Sequence, residues 1–329
     1  MSDAPVLPWN WFDFAQPPRA VPDGGLSAVP TVEQGGADLV FSIAPARRTL
    51  LFKILRRSAT FPQTPRPLLV LLHGMGLTIS TFHGIAPWLL ATHDLLLPDY
   101  SGLACARAGL SPKQSGWTGR LAAHDMIAGI FHLLDALHCP RADFAGNSLG
   151  GGMCLVAALA APERAGRIAL SNPACYPQTL PRTYRWARVP LLGELLMATT
   201  RPEKLIGGVE YIGYVDKQRF EPELRQRYLR NMSCRANRFR LMQMIRALPG
   251  HEHDTAGAPH LPRLRHLQNP VLISWGLQDP LLAPGAGERL AHDLPHATYH
   301  AYPDLAHMPH EEAPHRLGPE WSAFLNARA

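Results

Sequence analysis

Six short apolar runs, each followed or preceded by a segment long enough for a helix, constrain this chain more than any other feature in it. They read PLLVLLHG (67–74), HDLLLPDYSG (93–102), RADFAGNS (141–148), RIALSNPA (167–174), PVLISWG (270–276) and ATYHAY (297–302). A strand that is apolar at successive positions has both faces to bury, because successive side chains point to opposite sides of a sheet. The segments between them carry helical spacing, as in Leu121, Met126, Ile130, Leu133, Leu134 and Leu137, or in LGGGMCLVAALAA (149–161). Two further strands, DLVFSI and TLLFKILRR, precede the series. The expectation is an α/β fold with a mostly parallel, doubly wound sheet of about eight strands, covered by helices on both faces.

One stretch breaks the rhythm. Between SNPA, ending at Ala174, and NPVLISWG, starting at Asn269, there is no comparable buried strand. Helical stretches such as PLLGELLMATT and PELRQRYLRNMSCRANRFRLMQMIRAL fill it. The division this implies is an irregular arm over residues 1–36, a core of 37–174 and 269–329, and a helical cap over 175–268 inserted after the sixth strand. The arm is rich in Pro and Gly and bunches Trp9, Trp11, Phe12 and Phe14. Packing on the protein's own surface is the plain reading of those aromatics; a lid or dimer contact is the alternative.

Composition removes several classes. At 329 residues with 46% hydrophobic and 18% charged residues, the chain has material for a large core. No apolar run approaches the ~20 residues a membrane-spanning helix needs. The first residues lack a basic start followed by an apolar stretch, so no secretory signal is read and a cytoplasmic location is expected. Five scattered cysteines, Cys105, Cys139, Cys154, Cys175 and Cys234, form no C-x-x-C pair and read as free thiols. The net charge of +6 comes with Arg in excess over Lys and with no basic run interleaved with aromatics, so no nucleic-acid partner is expected.

The chemistry gathers at DFAGNSLGGGM, where Gly146 and Gly150 flank Ser148 in the pattern G-x-S-x-G. With a strand before it and a helix after it, that pattern places the serine on a tight turn at the carboxyl end of a strand, where open α/β sheets collect their functional groups. A serine hydroxyl needs a base to take its proton. Asp279 follows VLISWG at another strand end, and His307 and His310 lie beyond the last strand.

These residues resemble the α/β-hydrolase family from about Asp38 to the C-terminus. The resemblance rests on HGMG, PDYSG, GNSLGG, WGLQDP and AHMPHEEAP. It implies a triad in the order serine, acid, histidine, here Ser148, Asp279 and His307. The family sometimes takes its acid after the sixth strand, but SNPAC there has no carboxylate. The family tail places Pro two, Glu five and Pro seven residues past the histidine. From His307 these are Pro309, Glu312 and Pro314, which leaves His310 as a neighbouring polar residue. The usual Gly before the histidine is Ala306. By the same resemblance, the backbone N–H groups of Leu149 and Met75 are the candidate oxyanion donors.

Other motifs in the chain carry less. The run GHEHDTAGAPH holds His251, His253, Asp254 and His260 but shows no further ligand spacing, so no metal is expected. Neither GMGL nor GNSLGGG is a phosphate loop, and no cofactor is expected. The cap has more Arg and Lys than Asp and Glu; a solvated face is the plain reading, an anionic substrate or a lipid surface the alternative. The expected function is a serine hydrolase acting through an acyl-enzyme on a largely apolar carboxylic ester or lactone. The alternatives are a carbon–carbon bond hydrolase of the same superfamily, an acyltransferase, and a non-catalytic binding protein on this fold. A homodimer is left open. Two departures weigh against the carbon–carbon reading. The chain has HGMGLTIS where that group has Gly-Pro-Gly after His-Gly, and Glu311 stands where it commonly has Trp.

Overall fold

Apolar side chains on both sides of the central strands dictate three layers. The structure, a computed structural model, describes residues 7–9, 26–31, 36–43, 48–55, 66–99, 123–177, 181–247 and 261–327. Its strands are β1 (Leu26–Thr31), β2 (Gly36–Ile43), β3 (Arg48–Leu55), β4 (Leu68–Leu72), β5 (Asp94–Pro98), β6 (Ala142–Asn147), β7 (Ala165–Ser171), β8 (Val271–Gly276) and β9 (Ala297–Tyr302). They form one sheet in the order β1-β2-β3-β5-β4-β6-β7-β8-β9. The first three strands join it antiparallel, and every pairing from β5 through β9 is parallel.

All five residues of β4 are buried, and its alternation divides them between two cores. Leu68, Val70 and Leu72 join one, with α2 (Ala123–Ala136) and α3 (Leu149–Ala160). Leu69 and Leu71 join the other, with α1 (Ala86–Leu89) and, through Leu317, Trp321 and Leu325, the last helix of the chain. The edge strand β9 instead alternates partly buried and exposed positions from Ala297 to His300, as an edge covered on one face does.

The sheet has nine strands where about eight were expected, and the extra one comes from the stretch read as an irregular arm. Leu26–Thr31 pairs antiparallel with β2 in register from Leu26↔Phe41 to Thr31↔Gly36. Its Pro30 hid it: proline cannot donate to a ladder, and β1 is the edge strand on which that is tolerated.

Between β7 and β8 the chain turns helical, with α4 (Arg182–Arg188), α5 (Leu192–Thr199), α6 (Pro202–Gly213), α7 (Pro222–Ser233) and α8 (Arg235–Ala247). These helices have cores of their own that reach the sheet's carboxyl end. Ile206, Tyr214, Phe220, Leu224, Tyr228 and Met232 cluster with Leu77 and Met308. The remaining helices are α9 (Ala286–Asp293), α10 (Pro309–Glu312) and α11 (Pro314–Asn326).

Candidate active site

The strand order reverses at β4: the chain runs from β4 outward to β5, then returns to lay β6 on the other side of β4. In open α/β sheets the carboxyl ends at such a reversal leave a crevice. The His73-Gly74-Met75 loop leaves β4 there, and Ser148 leaves β6. A Cβ built on Gly74 would lie 3.5 Å from Ser148 Cβ, so the two turns touch.

Ser148 has φ 54° and ψ −121°, a conformation that non-glycine residues rarely hold. Bonds from outside the turn hold it there. The Ser148 N–H donates to the Ser171 carbonyl at 3.1 Å, and the Ser148 carbonyl accepts from the N–H groups of Gly152 at 3.0 Å and Ala174 at 2.9 Å. The helix after the turn passes hard against β4. A Cβ on Gly150 would lie 2.0 Å from the Leu72 carbonyl oxygen, which is why that position is glycine. Ser148 is 8% exposed.

Asp279 and His307 come from two other strand ends. His307 Nδ1 donates to Asp279 Oδ2 at 2.7 Å, with both side chains nearly buried. The other oxygen, Oδ1, accepts from the backbone N–H groups of Leu281 at 2.7 Å and Leu282 at 3.0 Å. Burial alone would raise the Asp279 pKa; the His307 charge, its hydrogen bond and the two backbone donors outweigh that and hold the carboxyl below its ordinary value.

Four residues that sequence reasoning passed over assemble the site. Asn147 donates its amide to the carbonyls of Ser171 and His307, both at 3.0 Å, so the residue before Ser148 ties the elbow to the histidine loop. Asn172 donates to Asp279 Oδ2 at 2.7 Å and to the Gly276 carbonyl at 3.2 Å, and accepts from the Gly276 N–H at 2.8 Å. It stands in SNPAC, the place set aside for lacking a carboxylate, and braces the carboxylate instead. Glu312 accepts from Ala306 N–H at 2.9 Å and from Val215 and Asp216 N–H at 2.9 and 3.1 Å, joining the histidine loop to the segment after α6. The fourth, Glu311, is buried and accepts from the hydroxyls of Tyr214 and Tyr228, each at 2.5 Å, and of Thr81. Burial keeps its pKa raised. The only signal for Glu311 and Glu312 was the tail spacing, which names positions and not partners.

His310 is fully buried, unlike the neighbouring polar residue expected. Its Nε2 meets Thr81 Oγ1 at 2.9 Å and its Nδ1 meets Ser171 Oγ at 3.3 Å. Thr81 spends its proton on Glu311, so it accepts from Nε2–H, and Ser171 donates to Nδ1. That is a neutral imidazole, and burial, with His307 nearby, pushes its pKa down to about 3.

Leu149 opens α3, so its N–H has no acceptor within the helix. Met75 packs its side chain against Ala187, Met197, Met242 and Ile245 of the helices between β7 and β8. His73 Nδ1 donates to the Gly74 carbonyl at 2.8 Å and shapes the same loop. The bunched histidines His251, His253 and His260, with Asp254, lie outside the described residues, as do Trp11, Phe12, Phe14 and Cys105. Trp9 is described, and it stacks on His83 with centroids 3.4 Å apart while Arg227 lies over its ring. Among the described residues no group of three His, Cys, Asp or Glu could hold a metal ion, and no helix is long and apolar enough to cross a membrane.

A mostly parallel sheet with a strained serine where its strand order reverses, and an acid–histidine pair on the loops after β8 and β9, is the arrangement of a known class of scaffold. A family model of the alpha/beta hydrolase fold matches residues 67–314, and the chain belongs to that family. Its relatives are hydrolases and their kin. The chain is 25% identical over 259 residues to the 2-hydroxy-6-oxo-6-phenylhexa-2,4-dienoate hydrolase of Burkholderia cepacia, covering 75% of this chain and 85% of that one. It is 27% identical over 263 residues to a cis-3-alkyl-4-alkyloxetan-2-one decarboxylase of Shewanella oneidensis, covering 73% and 79%. Among solved structures, the enol-lactonase of Burkholderia xenovorans LB400 superposes with a TM-score of 0.66 at 19% identity, covering 85% of this chain and 97% of that one.

Proposed function

We propose that this protein is a serine hydrolase that cleaves a small, largely apolar carboxylic ester or lactone through an acyl-enzyme. The observation that carries the reading is the strained Ser148, whose neighbour Asn147 donates to the His307 carbonyl, together with the 2.7 Å Asp279–His307 pair. His307, fixed through Nδ1 by Asp279, keeps Nε2 to take the Ser148 proton as Oγ attacks the carbonyl. The Leu149 and Met75 N–H groups receive the negative oxygen. His307 returns its proton to the leaving alkoxide, and a water it deprotonates frees the acid and restores Ser148. Side chains and water complete the cycle.

Carbon–carbon bond hydrolysis is the second reading, favoured by the dienoate hydrolase among the relatives. The HGMGLTIS loop, and Glu311 held by two cap tyrosines and Thr81, weigh against it. A panel of p-nitrophenyl esters, lactones and vinylogous diketones separates the two. Turnover of esters or lactones, lost by about 10⁶-fold in Ser148→Ala, is the expected result. Turnover confined to the diketones would transfer the assignment to the second reading.

A further inference from the structure

Helix α5 wears its apolar side outward. Its inner residues Gly193 and Met197 are buried, while Leu192, Leu195, Ala198 and Thr199 face solvent. Its one charged residue, Glu194, is bound by Arg246 of α8 at 2.6 Å. Surface helices ordinarily put charge on that side. Just before α5, Leu191 is 83% exposed, and Leu195 and Trp186 are 59% and 51% exposed. Leu191 also holds φ 65°, a left-handed conformation that costs a leucine energy, so the backbone presents this side chain at some expense. On the adjoining α4, Arg182, one turn before Trp186, and Arg185, next to it, are exposed.

The charge of the segment that carries this face is one-sided. Residues 181–247 hold fourteen Lys and Arg against six Asp and Glu, which leaves eighteen against twenty in the rest of the chain. The whole positive excess of the protein therefore lies in the segment from α4 to α8, to which the exposed leucines belong.

We infer that this face of the cap docks on an anionic lipid surface, with Leu191, Leu195 and Trp186 entering the interface and Arg182 and Arg185 meeting the headgroups. Three features favour that occupant. A tryptophan and leucines beside arginines are the composition that seats a helix in a headgroup layer. A second copy docked on the same face would bring its own Arg182 and Arg185 against these, like charge on like, in a two-fold contact. A leucine that protrudes alone gains most where acyl chains can surround it on every side. The inner sides of the same helices pack on Met75, so the docked face lies on the cap elements that border the candidate site. The inference rests on the surface and not on the proposed reaction.

Sedimentation of the full chain with vesicles tests it. Binding is expected to vesicles of equal parts phosphatidylglycerol and phosphatidylcholine, to fall about tenfold on pure phosphatidylcholine, and to weaken with salt. Leu191→Ser with Leu195→Ser should cut binding at least about tenfold while circular dichroism and the melting midpoint stay as in the parent. Arg182→Glu with Arg185→Glu should remove the preference for the anionic vesicles. No binding of the parent to either vesicle, or full binding by the Leu191/Leu195 variant, would overturn the inference. So would a dimer, seen by sedimentation velocity, that the Leu191/Leu195 variant dissociates, since the face would then belong to a second copy.

Discussion

Asn172 and Asp279 show how a single residue sets a site at a distance of two bonds. Asn172 holds φ 40°, and its amide braces the carboxylate that in turn orients His307. Replacement by alanine would mix backbone strain with lost hydrogen bonds; Asn172→Gly removes only the bonds, because glycine accepts that φ. A hydrogen bond to a charged group is worth about 1.5–3 kcal/mol, so kcat should fall about ten- to hundredfold with KM little changed. Steady-state kinetics on the best substrate of the panel checks this. An unchanged kcat would show that Leu281 and Leu282 position Asp279 without help.

At the scale of elements, the segment of His307 through Glu312 is where the sheet's carboxyl end is fastened to the helices between β7 and β8. His307 and Met308 donate their N–H groups to the carbonyls of Ile212 and Gly213 at the end of α6, at 3.2 and 3.3 Å. Glu311 and Glu312 bind the same stretch through side chains. His310 sits neutral beneath them, and its depressed pKa has a sign that can be worked out. The unfolded chain takes up a proton near the ordinary histidine value of about 6.5, whereas the folded one resists until about 3. Stability from this residue is full above the first value and is lost as pH falls toward the second. Asp279, whose folded pKa is lowered, adds a loss at the acid end of the same range, below the ordinary carboxylate value. His310→Gln keeps hydrogen-bonding capacity and cannot be protonated, so urea unfolding should show a flatter decline in stability between pH 6.5 and 4 than in the parent. An identical slope would mean that His310 opens to solvent before the fold gives way.

For the molecule as a whole, what sequence exposes is what repeats or what is locally forced. The central strands were legible because both of their faces are buried, and Ser148 because a tight turn demands glycines at fixed offsets. β1 was not, since an edge strand with Pro30 lacks the apolar run by which the others are recognised. Asn147, Asn172, Glu311 and Glu312 were not, because each acts through partners remote in the chain: Asn172 and Asp279 are 107 residues apart, and Glu311 and Tyr214 are 97 apart. His310 read only as a polar neighbour for the same reason, since its partners Thr81 and Ser171 are remote in the chain. The spacing of the tail points to His307 and not His310, and in the structure His307 is hydrogen-bonded to Asp279.

The central claim is that Ser148 is an activated nucleophile, and a fluorophosphonate probe reads it directly, since phosphonylation needs a serine whose proton has somewhere to go. Intact-mass spectrometry of the full chain after brief exposure, with peptide mapping, gives the site. One adduct on Ser148 is predicted, absent in Ser148→Ala, strongly slowed in His307→Ala, and retained in His310→Gln. No adduct on a folded chain, an adduct on another residue, or labelling of His307→Ala at the parent rate would contradict the account.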